Sequence, residues 1–194
     1  MILLRHGQSE FNAHFTLHRR DPGIEDPSLT AIGEEQARAA AGAIAAGHRV
    51  TRIIASPFRR ALQTAAPAAA LFGLPVSVSP SVRERYAFRC DIGSPPANLA
   101  ADWPRHDFAA LPERWWLEHE PDPDGTLPIE PEAAVIRRAN AFRAAMRDDP
   151  EQATTLVVSH WGFLLCLSGR SLENGSWIEL DPTLPLDGPI SWQH

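Results

Sequence analysis

The sequence predicts a three-layer α/β fold, a mostly parallel sheet with helices on both faces and one long irregular insertion. Two observations predict it. Short apolar runs alternate with Ala-rich or amphipathic stretches of helical length, the order in which parallel strands and crossover helices follow one another. The runs are apolar at successive positions, as strands buried on both faces require.

Residues 1–4 form a first buried strand, which Arg5 ends. Residues 11–28 read as irregular, with turn signals at Asp21-Pro22-Gly23 and Asp26-Pro27. A helix is expected over 31–46, with Thr30 as N-cap and Gly47 as its stop. Residues 52–55 are a second strand. The next helix is predicted to start at Ser56-Pro57, Ser as cap and Pro at the first helical position, and to end at Phe72 before Gly73 and Pro75. Pro67 inside it is a point of kinking or early breakage. Residues 76–79 alternate like a short strand. From 80 to 131 the periodicity dissolves into a Pro- and Trp-rich stretch, too long for a simple connection and read as an insertion that covers a site. A helix over 132–147 places Val135, Ala139, Phe142 and Met146 on one face. Strand 154–159, a helix from 161 to 168 and a last strand over 176–180 complete the pattern.

A chain of 194 residues suits a single domain over 1–194. No apolar run approaches bilayer length, and the start lacks a basic segment followed by an apolar core. The expectation is a cytoplasmic protein with no membrane partner. The net charge of −6 argues against nucleic acid, although all 18 basic residues are arginine, whose fork binds phosphate in bidentate fashion. Cys90 and Cys166 are too few for a disulfide framework, and no spacing suggests a metal site, so no metal or other cofactor is expected. Oligomeric state is left open.

Ligands of such sheets bind beyond the carboxyl ends of the strands. Four groups of reactive residues fall there: Arg5-His6-Gly7, Ser56 to Arg60, Glu84, and Ser159-His160. A single histidine at a strand end is more often structural than catalytic, but four groups at one edge are harder to explain that way.

The blocks that carry these groups resemble a known family. Leu4-Arg5-His6-Gly7-Gln8-Ser9-Glu10-Phe11-Asn12 is similar to the signature of the histidine phosphatase superfamily, in the branch that includes cofactor-dependent phosphoglycerate mutases. The resemblance continues, in the family's order, through residues 29–37, 56–65, Arg83-Glu84-Arg85 and Val158-Ser159-His160-Trp161-Gly162. Residues 88–131 and the tail lie outside it.

The resemblance implies that His6 is a phosphate-accepting nucleophile, its second ring nitrogen bonded to a nearby backbone carbonyl. Arg5 and Arg60 then clamp the non-bridging oxygens, and His160, preferably protonated, adds a further donor. Gly7 leaves room for the phosphate beside the backbone, and Asn12 makes a secondary contact. Arg60 is chosen over Arg59 because the pattern places the phosphate arginine directly before alanine, and adjacent helical side chains diverge by about 100°. Arg59 is then a solvated surface residue. Glu84 is the general acid and base, with Asp91 and Glu10 as competitors. The substrate implied is a small phosphorylated metabolite.

Other residues carry two readings each. Trp115-Trp116 lines a substrate pocket or, more commonly for such pairs, anchors the insertion. Arg89 binds a substrate anion or is solvated, Trp161 narrows the pocket or packs, and His14 and His18 touch substrate or, the better reading, are solvated. At the level of function, phosphomonoester hydrolysis leads because the mutase-type segment after Glu84 is not recognisable. A phosphoglycerate mutase, a phosphoprotein phosphatase and a non-catalytic phosphate-binding module are the alternatives.

Overall fold

The computed structural model describes residues 1–118, 128–186 and 190–192. Strands β1 (Ile2–Arg5), β2 (Arg52–Ala55), β3 (Val76–Val78), β4 (Thr155–Ser159) and β5 (Trp177–Glu179) form one sheet in the order β3-β2-β4-β1-β5. All neighbours are parallel except β5, which runs antiparallel to β1 at the sheet edge. The predicted α/β class and its mostly parallel sheet are therefore observed.

Alternation along the buried strands supplies two cores. Ile2 and Leu4 of β1 face α2 (Ala31–Gly47) and α3 (Arg59–Phe72), in a cluster with Ile53, Leu156 and Val158. Leu3 and Val157 face the other way, onto α5 (Glu132–Arg147) and α6 (Trp161–Ser168), with Val135, Phe163 and Leu167. Both sides of each strand are covered, which is why the runs read as continuously apolar. Among the described residues, no helix is long and apolar enough to cross a membrane.

Three expectations need correction. Residues 11–28 are not wholly irregular: α1 spans Glu10–His18, started by Ser9, whose hydroxyl accepts from Asn12 N–H while Asn12 Oδ1 accepts from Ser9 N–H. α1 buries only Phe11, so no apolar stripe announced it. The helix predicted from Ser56 begins instead at Arg59, after Phe58, without a side-chain cap, and it runs through Pro67. The insertion is not structureless. It contains α4 (Pro96–Asp102) and 3-10 turns at Pro80–Val82 and Arg89–Asp91; its residues 119–127 lie outside the described part.

The described insertion is pinned to the domain by aromatic and polar contacts. Trp115 is buried edge-on against Phe58, with ring centres 4.6 Å apart, and its indole N–H donates to Ser94 O at 2.9 Å. This is the anchoring role. The buried Asp26 carboxylate accepts from Arg59 N–H, Ser94 N–H and Ser94 Oγ, tying the loop before α2 to both α3 and the insertion. Arg59 is not merely solvated, for its guanidinium pairs with Asp102 of α4 at 2.8 Å.

Candidate active site

The ends of β1, β4 and β2 are held level by the sheet register, which pairs Arg5 with Ser159 and Ala55 with Val158. The ladder continues one step further: His6 N–H donates to Ser159 O at 2.9 Å, and Ser56 N–H to Val158 O at 3.1 Å. Strand geometry alone thus brings His6 and His160 together, with ring centres 5.0 Å apart.

His6 Nδ1 lies 2.7 Å from the Gly7 carbonyl oxygen. A carbonyl only accepts, so Nδ1 carries the proton and Nε2 keeps its lone pair. Burial, reinforced by the Arg60 and Arg5 guanidiniums, holds the imidazole well below its ordinary pKa, so the ring is neutral at pH 7.

A cavity of about 420 Å³ opens over this edge, with Arg5, His6, Asn12, Arg60 and Glu84 on its wall. Arg60 is buried, its guanidinium 4.3 Å from the centre of the Phe58 ring, and it donates to Cys90 O at 2.9 Å and Asp91 Oδ1 at 3.1 Å. Arg5 donates to Leu172 O at 2.6 Å, while its Nε is buried with no partner among the described residues. The Glu84 carboxylate accepts from the backbone N–H groups of Arg85, Gly162 and Phe163, the last two at the first turn of α6.

His160 is buried and does not line the cavity. Its Nε2 is 2.8 Å from Ser56 Oγ, and its Nδ1 is buried without a partner among the described residues. Burial above all, with Arg60 next, holds its pKa well below the ordinary value, which disfavours the expected protonated form. Ser56 serves this ring and not a helix cap.

Gly7 also has a different task from the one expected. It does not line the cavity; a Cβ there would overlap the Gly33 carbonyl, and one at Gly33 would overlap Gln8 O, because the end of β1 and the start of α2 cross backbone to backbone. Gly7→Ala is expected to lower stability by about 2–3 kcal/mol, since the obstacle is backbone and cannot swing aside. The urea midpoint measures it.

The competing acids are occupied. Asp91 is buried and pairs with Arg60, while its other oxygen accepts from Ala87 and Phe88 N–H; burial raises its pKa to about 6 against the pull of Arg60. Glu10 accepts from Ser28 N–H. Arg89 is bound to Glu25 and takes Asp21 on its backbone, so it latches loops. Trp161 lines the cavity and donates its indole N–H to Ser171 Oγ. His14 and His18 pack on each other along α1 with their rings tilted by 46°.

Two supporting residues escaped the sequence reading. Thr64, one turn beyond Arg60, accepts from Gly7 N–H and donates to Arg60 O, a pairing that helical spacing could have suggested. Asn174 donates to His6 O and Asn12 Oδ1 from a loop with no local signal. Among the described residues, no three His, Cys, Asp or Glu side chains group as a metal site would require.

The family model described as histidine phosphatase superfamily (branch 1) matches residues 1–183. A bifunctional protein of Mycobacterium tuberculosis is 32% identical over 178 residues, 92% of this chain and 45% of its own length, so the chain spans about half of that relative. The glucosyl-3-phosphoglycerate phosphatase of Mycolicibacterium vanbaalenii is 29% identical over 214 residues, covering 97% of this chain and 86% of the relative. A probable phosphoglycerate mutase of Escherichia coli is 31% identical over 184 residues, with 92% and 77% covered. Among solved structures, a mycobacterial glucosyl-3-phosphoglycerate phosphatase superposes with a TM-score of 0.60 at 25% identity, over 91% of this chain and 87% of that one. With a match over nearly its whole length and the same α/β architecture, this chain belongs to branch 1 of the histidine phosphatase superfamily.

Proposed function

We propose that the chain is a phosphomonoesterase that passes the phosphoryl group from a small organic phosphate to His6 and then to water. The observation that carries this reading is a neutral His6 with Nε2 free, set beside two arginines, one of which, Arg5, keeps a buried Nε–H without a partner among the described residues. A buried donor without an acceptor is costly, and a phosphoryl oxygen satisfies it.

In this scheme Nε2 attacks phosphorus in line as the bond to the leaving oxygen breaks. Glu84 gives its proton to that oxygen, and the alcohol departs. The Glu84 carboxylate then takes a proton from water, whose oxygen attacks phosphorus and breaks the P–N bond, returning His6 to its first state. Arg5 and Arg60 offset the charge on the equatorial oxygens. Asn12 contributes Nδ2, since its Oδ1 is committed to Ser9 and Asn174. Glu84 suits the acid role better than Asp91, because protonating Asp91 would dismantle the Arg60 pair.

Phosphate release from an aryl phosphate is expected to persist in excess chelator, as every charge-stabilising group invoked belongs to the protein. Base quenching during turnover of labelled substrate is expected to trap label that is lost in acid and maps to His6. Label on another residue, or activity that vanishes with the chelator, would sink the scheme. Mutase activity is the second reading, favoured by the Escherichia coli relative. With 3-phosphoglycerate and a bisphosphate primer, isomerisation far faster than hydrolysis would reverse the ranking.

A further inference from the structure

The wall of the cavity beyond the phosphate contacts is apolar. Phe11, Phe88, Ile129, Trp161 and Trp192 line it, and two of them are poorly covered by the protein itself, Phe88 at 39% and Ile129 at 59% exposure. The aromatic groups support one another: Phe88 packs on Phe11 with ring centres 5.3 Å apart, and Trp161 on Trp192 at 5.7 Å. Apolar side chains left open beside a polar floor gain free energy only when something apolar covers them.

Charge on the wall is balanced. Three arginines, Arg5, Arg60 and Arg85, face three carboxylates, Glu84, Asp91 and Glu132. Arg5 and Arg60 belong to the phosphate. Arg85 is engaged already, donating to Glu130 O at 2.8 Å, pairing with Glu132 at 3.4 Å and lying 5.0 Å over the Trp192 ring. No arginine occurs in residues 119–127, 187–189 or 193–194, and the chain has no lysine. Among the described residues, a second anionic group on a substrate would therefore find no uncommitted arginine at this wall.

The apolar surface also lies on the leaving-group side. In-line attack puts the leaving oxygen opposite His6 and beside the acid that protonates it. Glu84 and Trp192 flank the same glycine: a Cβ at Gly162 would stand 2.6 Å from Glu84 Oε1 and 3.2 Å from Trp192 Cζ3. Whatever is bonded to that oxygen meets the indole next.

We infer that Phe88, Trp161 and Trp192 select monophosphates whose leaving group is uncharged and bulky-apolar or aromatic, against substrates with a second phosphate or a carboxylate. This inference rests on the phosphatase reading above. It is tested by comparing kcat/KM for 2-phenylethyl phosphate, ethyl phosphate and 3-phosphoglycerate, the first two having alkoxide leaving groups of similar basicity. The phenylethyl ester is expected to exceed the ethyl ester roughly 50-fold and 3-phosphoglycerate by more than about tenfold. Phe88→Ala and Trp192→Ala should each narrow the phenylethyl-to-ethyl ratio about fivefold, mainly through KM. Phe88 is exposed, so its truncation leaves the core packed. Equal rates for the two esters, a ratio that neither variant changes, or faster hydrolysis of 3-phosphoglycerate would overturn the inference and leave the phosphatase reading standing. Release of phosphate from none of the three would overturn both.

Discussion

His6→Ala is expected to lower phosphate release by at least about 10⁴-fold and to abolish acid-labile labelling, with the fold retained. The size of the effect follows from what the side chain alone supplies. Arg5 and Arg60 would still bind a phosphoryl group, but neither offers a lone pair at phosphorus, both being cations at neutral pH, and His160 does not line the cavity. Alanine keeps the backbone N–H to Ser159 O, so the strand ladder survives. A structural explanation for lost activity can be separated from a chemical one by adding free imidazole, which can occupy the vacated space and attack in place of the missing ring. Partial rescue by imidazole, with substrate KM little changed, is the expected result. Residual activity above a few per cent without imidazole would show that the phosphoryl group does not pass through His6.

What the sequence revealed and what it hid follow from the range of the forces involved. β1, β2, β4, α2, α5 and α6 were legible because each buries a face of its own, and burial writes itself into local periodicity. The meeting of His6 with His160 was legible for the same reason, as parallel strands of similar length end level. α1 was not, because it buries Phe11 alone and starts on an exchange between Ser9 and Asn12. The start of α3 was misread because Ser56, which looks like a cap, spends its hydroxyl on a histidine 104 positions away. Gly7 was assigned to the phosphate when its constraint is the backbone of Gly33. The course of the insertion was least legible, since it depends on single buried carboxylates, Asp26, Asp91 and Glu130, that look like ordinary surface charges in a polar stretch.

Glu130 is the case in which that hidden information carries the largest stability effect. Its buried carboxylate holds two guanidiniums, Arg83 at 3.2 Å and Arg138 at 3.0 Å, and accepts from Tyr86 N–H, while its own N–H donates to Tyr86 O. The two cations are close enough to repel, and burial together with Arg138 lowers the Arg83 pKa to about 10. Glu130→Ala would leave both beside each other without a counter-ion, which is the circumstance in which breaking a buried pair costs most, about 3–5 kcal/mol. Glu130→Gln keeps an acceptor and the volume but not the charge, and about half that loss is expected. Urea midpoints at constant slope measure both. The site should respond as well. Arg138 also donates to the backbone carbonyls of Arg83 and Glu84, so loosening it frees the segment that presents the Glu84 carboxylate to the start of α6. The glutamine variant, folded at low denaturant, is therefore expected to lose kcat more than KM. A variant as stable as the parent would mean that the arginines find other partners and that Glu130 does not brace the acid.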